Sequence, residues 1–247
     1  MTPARHILND LREARRTRTK RLALLLDPDK FDLAQADRLF ALAGQAGVHY
    51  ILAGGSLLLS PSLDPLLDAV RAHSRLPTLL FPGNAIQLSD RADGILLLSL
   101  ISGRNPELLI GQHVAAAPFL RHSRLEIIPT GYLLVDGGAP TAVQYMSNTQ
   151  PIPADKPEIA ACTAMAGEML GLQTIYVEAG SGSPTAISAA VVRAVREAVS
   201  LPLIAGGGIR DAGAAREAWD AGADMVVVGT AFERRPEVIL EIGATLR

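Results

Sequence analysis

A chain of 247 residues and 26.1 kDa has room for one large domain or two small ones, and single α/β barrels commonly occupy this length. With 49% hydrophobic residues, 22 glycines and 16 prolines, it can bury a large core, which argues against disorder. The formal net charge of -2 leaves no chain-wide basic excess and argues against nucleic acid as the main partner. The single cysteine, Cys162, rules out an internal disulfide framework. In its Ala-rich helical stretch it reads as a small buried apolar residue rather than a nucleophile.

The first twenty residues lack the apolar core of a signal peptide, and no apolar run approaches the ~18 residues of a spanning helix. A cytoplasmic protein is the expectation. Residues 12–21 carry six Lys/Arg against one Glu. This stretch reads as a solvated helix face, the other reading being attraction to anionic lipid headgroups in a peripheral membrane contact.

Short apolar runs bounded by Gly, Pro and Asp then alternate with periodic segments. The runs at 22–26, 49–53, 78–81, 94–98, 125–128, 174–178, 201–205 and 224–228 predict strands buried on both faces, as in a parallel sheet. The segments 34–47, 157–170, 188–199 and 212–221 predict crossover helices. Eight such units in a single domain spanning 1–247 imply a (β/α)8 TIM barrel, with an open doubly wound sheet as the alternative. Only residues 82–93 separate the third and fourth strands, so the third helix is expected to be missing or reduced to a turn. After the fifth strand, the long polar stretch 132–156 reads as functional or interfacial.

In such barrels the chemistry sits where strands end. The first strand ends in Asp27-Pro28-Asp29-Lys30. Asp27 is the first polar group after the strand and is placed to hold Mg²⁺, a hard cation often shared with substrate phosphates; a turn and helix cap is the other reading. Gly54-Gly55-Ser56 follows the second strand, where the Ser56 hydroxyl can be a second oxygen ligand or a phosphate donor. Gly-Gly-Ser also makes ordinary turns.

The sixth strand ends in Tyr176-Val177-Glu178-Ala179-Gly180-Ser181-Gly182. Its glycines free N–H groups to cradle an anion, and Glu178 stands beside whatever the anion belongs to. A purely structural Glu178 would need a cationic partner. Gly206-Gly207-Gly208-Ile209-Arg210 follows the seventh strand and Gly229-Thr230 the eighth. Glycine loops at these two places match the phosphate site of many barrels and point to a phosphate monoester, plain tight turns being the alternative. His6, His49, His73, His113 and His122 show no metal-ligand spacing and read as structural or surface residues. There is no Gly-x-Ser-x-Gly elbow and no P-loop.

In order along the chain, Leu26 to Lys30, Gly54-Gly55-Ser56, Phe81-Pro82-Gly83-Asn84, Gly131-Tyr132, Lys156-Pro157, Tyr176 to Gly182 and Gly206 to Arg210 make a specific combination. Between Leu22 and Glu233 the sequence resembles the geranylgeranylglyceryl phosphate synthase family, with its heptaprenylglyceryl phosphate synthase relatives. The resemblance implies a barrel lacking its third helix and a transferase that ether-links a prenyl diphosphate, geranylgeranyl diphosphate for the family's namesake, to sn-glycerol 1-phosphate with Mg²⁺. It assigns the metal to Asp27 and Ser56. It assigns glycerol 1-phosphate to Tyr176, Val177, Glu178, Ala179, Gly180, Ser181, Gly182, Gly207, Gly208, Gly229 and Thr230, with Glu178 on the glycerol hydroxyls. Some archaeal members carry Lys two residues before the magnesium Asp. Here that position is Leu25, which resembles the second branch, with its bacterial members, and leaves the phosphate to backbone groups and Arg210.

For that reaction Glu178 is the candidate catalytic base. An apolar groove for the prenyl tail is expected in the third and fourth units, near Leu96-Leu97-Leu98. The competing readings are a phosphosugar isomerase or lyase, which needs no tail groove, and a non-catalytic phosphate-ligand module. Tyr145, with Val143 and Met146 in a surface segment, predicts an interface of a homo-oligomer, a dimer or a hexamer. The family's larger assemblies also place an aromatic in this region.

Overall fold

The computed structural model describes residues 6–246. Its strands are β1 (Arg21–Leu26), β2 (Tyr50–Ala53), β3 (Thr78–Leu80), β4 (Gly94–Ser99), β5 (Glu126–Leu134), β6 (Thr174–Glu178), β7 (Leu203–Gly206) and β8 (Met225–Val228). They are parallel and close into a barrel in chain order, with Ala23 of β1 paired to both Tyr50 and Val227. The apolar runs form strands because each is buried on both faces. Ala23, Leu52, Leu79 and Leu96 fill the barrel, while Leu24, Ile51, Leu80 and Ile95 face the helices.

The helices are α1 (Ile7–Thr17), α2 (Ala36–Gln45), α3 (Leu63–His73), α4 (Gln112–His122), α5 (Ala142–Ser147), α6 (Pro157–Met169), α7 (Ala189–Ala198), α8 (Ala212–Asp220), α9 (Thr230–Arg234) and α10 (Val238–Gly243). Between β3 and β4 there is no helix, as the short third unit required. No described helix is long and apolar enough to cross a membrane.

Helix α1 closes the N-terminal end of the barrel, opposite the mouth. Ile7, Leu11 and Ala14 are its buried face, at the spacing of one helical stripe. The Ile7 and Leu8 N–H groups donate to the Glu126 carboxylate at the start of β5, at 2.7 and 2.9 Å, a charge well placed at a helix N-terminus. Asp10 receives Arg21 at 2.8 Å and the Tyr50 hydroxyl. Of the basic stretch, Arg12 and Arg16 lie on α1 and bond Gln173 and Glu13, whereas the helix ends at Thr17 and Arg21, the first residue of β1, bonds Asp10.

Two sequence expectations are corrected. Strand β5 continues to Leu134, well past 128, across Pro129 and Gly131. A Cβ on Gly131 would lie 2.9 Å from side-chain atoms of Ile101 and Leu172, so this glycine marks close packing within a strand rather than its end. Cys162 is exposed, not buried. Helix α6 buries Ala160, Ala164 and Gly167, and a residue two positions from Ala160 turns ~200° away from that stripe.

Candidate active site

Because side chains alternate along a strand, the register of β6 sends Tyr176 and Glu178 into the barrel and Val177 outward into the helix-facing layer. Of the residues assigned to glycerol phosphate, Tyr176, Glu178, Ser181, Gly182, Gly207, Gly208, Gly229 and Thr230 line one cavity of about 580 Å³ at the barrel mouth. Val177 and Ala179 pack in the outer layer instead, and the Ala179 N–H is bonded to the Gly206 carbonyl at 3.2 Å. The Gly180 N–H donates to Glu178 at 2.9 Å. Ser181 and Thr230 hydroxyls meet at 3.2 Å, tying the loop after β6 to the loop after β8.

Glu178 is 5% exposed. Burial raises its carboxyl to about 7, against the pull of Tyr176 and the Gly180 N–H. Among the described residues it has no ion-pair partner, so the structural role considered for it finds no support. Tyr176 is fully buried and its hydroxyl makes no well-aligned hydrogen bond. Burial and the Glu178 charge push its ionisation well above the ordinary range. Gly207 has φ of 83°, and a Cβ there would lie 2.4 Å from Glu178 Oε1 and 2.5 Å from the Ala179 nitrogen. No other residue fits that position.

Asp27 and Ser56 line the same mouth, from β1 and β2. A Cβ on Gly55 would lie 3.6 Å from the Asp27 carboxyl carbon, so the two loops abut. Asp27 Oδ1 accepts the Asp29 N–H at 3.1 Å, and its Oδ2 holds the Lys30 ammonium at 2.5 Å. Asp29 is structural: it accepts the Leu59 N–H and the Ser60 and Ser62 hydroxyls at 2.6–2.7 Å, which lower its carboxyl to about 2, Ser60 most of all. The cap role goes to Asp32, which accepts the Ala34 N–H at 3.0 Å. No cluster of three His, Cys, Asp or Glu suited to a metal exists among the described residues. One carboxylate and one hydroxyl fit a magnesium that takes its remaining oxygens from phosphates and water.

A second cavity, of about 380 Å³, opens where the third helix is missing. Ile95 and Leu97, on the outward face of β4, form its floor, while Leu96 points into the barrel; of the expected leucine run, Leu97 and Leu98 reach it. Ser56, Phe81 and Tyr132 line both cavities. The rings of Phe81, Tyr132 and Tyr176 stand 5.2–6.1 Å apart at this junction. The sequence marks Gly131-Tyr132 as a motif but gives Tyr132 no site role, because the fifth apolar run ends at 128. Alternation two residues on from the buried Thr130 would have placed it inside the barrel.

The profile of the PcrB family matches residues 14–245. The chain belongs to the PcrB family. It is 51% identical to a geranylgeranylglyceryl phosphate synthase of Chitinophaga pinensis over 90% of this chain and 88% of the relative. It is 40% identical to one of Korarchaeum cryptofilum over 94% of each. The crystal structure of (S)-3-O-geranylgeranylglyceryl phosphate synthase from Thermoplasma acidophilum in complex with sn-glycerol-1-phosphate superposes with a TM-score of 0.91, at 33% identity and 97% and 98% coverage.

One expectation for this PcrB-family chain changes with the geometry. Arg210 donates to the carbonyls of Ser183 and Pro184. It braces the loop after β6.

Proposed function

We propose that the protein ether-links the 3-hydroxyl of sn-glycerol 1-phosphate to the first carbon of a prenyl diphosphate and releases diphosphate. The observation that carries this reading is the joining of a carboxylate-bearing, glycine-lined mouth to an apolar groove at Phe81 and Tyr132. A phosphosugar isomerase would have no use for the groove. The loops after β6, β7 and β8 hold the phosphate, and this anchor with Glu178 aims the 3-hydroxyl at the groove. Glu178 then takes the hydroxyl proton. Magnesium, when bound by Asp27 and Ser56, supplies positive charge against the leaving diphosphate. The test is incubation with labelled glycerol 1-phosphate, Mg²⁺ and prenyl diphosphates of several lengths, followed by extraction; a labelled lipid is expected, and its absence at every length refutes the reading.

Glycerol 1-phosphate should bind without magnesium, because backbone groups hold it. Calorimetry in chelator is expected to show binding, and its absence removes the phosphate assignment. Gly207→Ala should weaken that binding about tenfold or more, since the new methyl displaces Glu178 and forces a positive φ on an L residue. The same titration checks it.

Tyr145 is 87% exposed beside the half-exposed Met146, and Val143 turns inward to line both cavities. A homo-oligomer that covers Tyr145 is the expected state, dimer or hexamer, and a monomer by light scattering at micromolar concentration overturns it. The basic face of α1 lies at the end opposite the mouth, so any peripheral lipid contact it makes is separate from prenyl transfer.

A further inference from the structure

We propose that Lys30 is a substrate-binding residue for the diphosphate of the prenyl donor, held on Asp27 until that group arrives. The inference deepens the prenyl-transfer reading and rests on it. The turn after β1 is closed by the Lys30 and Phe31 N–H groups donating to the Asp27 carbonyl at 3.0 and 3.1 Å. This folds the Lys30 side chain back over the strand end, into the mouth and onto Asp27.

The charges around the mouth single Lys30 out. Four basic residues line it: Lys30, Arg210, Arg234 and Arg235. Arg210 is engaged with two carbonyls. Arg235 is engaged with the Glu241 carboxylate at 2.8 and 3.3 Å. Arg234 and Lys30 are both exposed, and of the two it is Lys30 that is held on Asp27. Lys30 holds Asp27 with one of its three N–H donors, directly beside the place assigned to the metal. Glu233 lines the same mouth, and burial raises its carboxyl against the pull of the Lys30 charge.

The chemistry asks for such a group. As the bond from the glycerol oxygen to the first prenyl carbon forms, the bond from that carbon to the diphosphate oxygen breaks, and its electron pair leaves with the diphosphate. The hydroxyl proton goes to Glu178. Diphosphate leaves with about three negative charges at neutral pH, more than one divalent cation balances, and a mobile ammonium at the metal's side offsets the remainder.

The test uses binding of inorganic diphosphate, with and without Mg²⁺, to wild type, Lys30→Met and Lys30→Arg. Wild type should bind magnesium diphosphate, and Lys30→Met should bind it on the order of 10- to 100-fold more weakly, the loss of one hydrogen bond to a charged group. Lys30→Arg should recover most of the affinity. Binding of glycerol 1-phosphate should stay within about twofold in both variants, which also reports that they are folded. If Lys30 merely neutralises Asp27, Lys30→Met binds magnesium diphosphate as wild type does, and the proposal is overturned. Failure of wild type itself to form the lipid product refutes the prenyl-transfer reading instead, so the two failures are distinguishable.

Discussion

Glu178→Gln should lower kcat by about 100- to 10,000-fold, the range of a positioned general base, while glycerol 1-phosphate still binds nearly as well. Gln keeps the shape and can still accept the Gly180 N–H, but it cannot take a proton. In the wild type, with the free carboxyl at about 7, kcat/KM should rise with pH through that value, because only the ionised form is a base. The rising limb should vanish in the variant. Stability should move the other way. A carboxyl raised from its ordinary 4.5 to about 7 by burial favours the protonated folded state. It destabilises the fold as pH climbs from about 4.5 to about 7, by up to about 3 kcal/mol above that window. Glu178→Gln should therefore melt at a higher temperature than wild type at pH 8 and lose that advantage near pH 4.5. If binding fell in proportion to turnover, Glu178 would be a binding residue only, and if neither fell the base lies elsewhere in the mouth.

Asp27→Asn should cripple turnover and leave the fold intact. A direct metal ligand is expected to cost at least the ~10- to 100-fold typical of the groups that merely orient one. Asn can still accept the Asp29 N–H, so the turn into α2 survives. The loss should be largest at limiting Mg²⁺, where the rate is to be measured as a function of metal, with a thermal melt as the folding control. Near-normal turnover of Asp27→Asn at limiting Mg²⁺ would remove the metal assignment.

The sequence by itself determined the barrel, the missing third helix and the positions of the site loops. Each strand is a short apolar run buried on both faces and punctuated by Gly, Pro or Asp, and that pattern is local. The glycine-rich ends after β6, β7 and β8 were legible for the same reason: a loop that brings backbone against an anion excludes side chains, and the exclusion is written in the residues themselves.

What only the tertiary structure decided follows from parity and from contacts distant in sequence. The register of β6 separates Glu178 and Tyr176 from Val177, which points at helices rather than substrate. The extension of β5 brings Tyr132 to Phe81 and Tyr176 from three separate strand ends, a junction that no single segment announces. Arg210 reads as an anion ligand until the loop it braces is in place. Lys30 meets Asp27 only because the turn after β1 folds its side chain back. A side chain's partner is set by where the chain returns in space, and a one-residue change of strand register would exchange the mouth-facing set for the buried one.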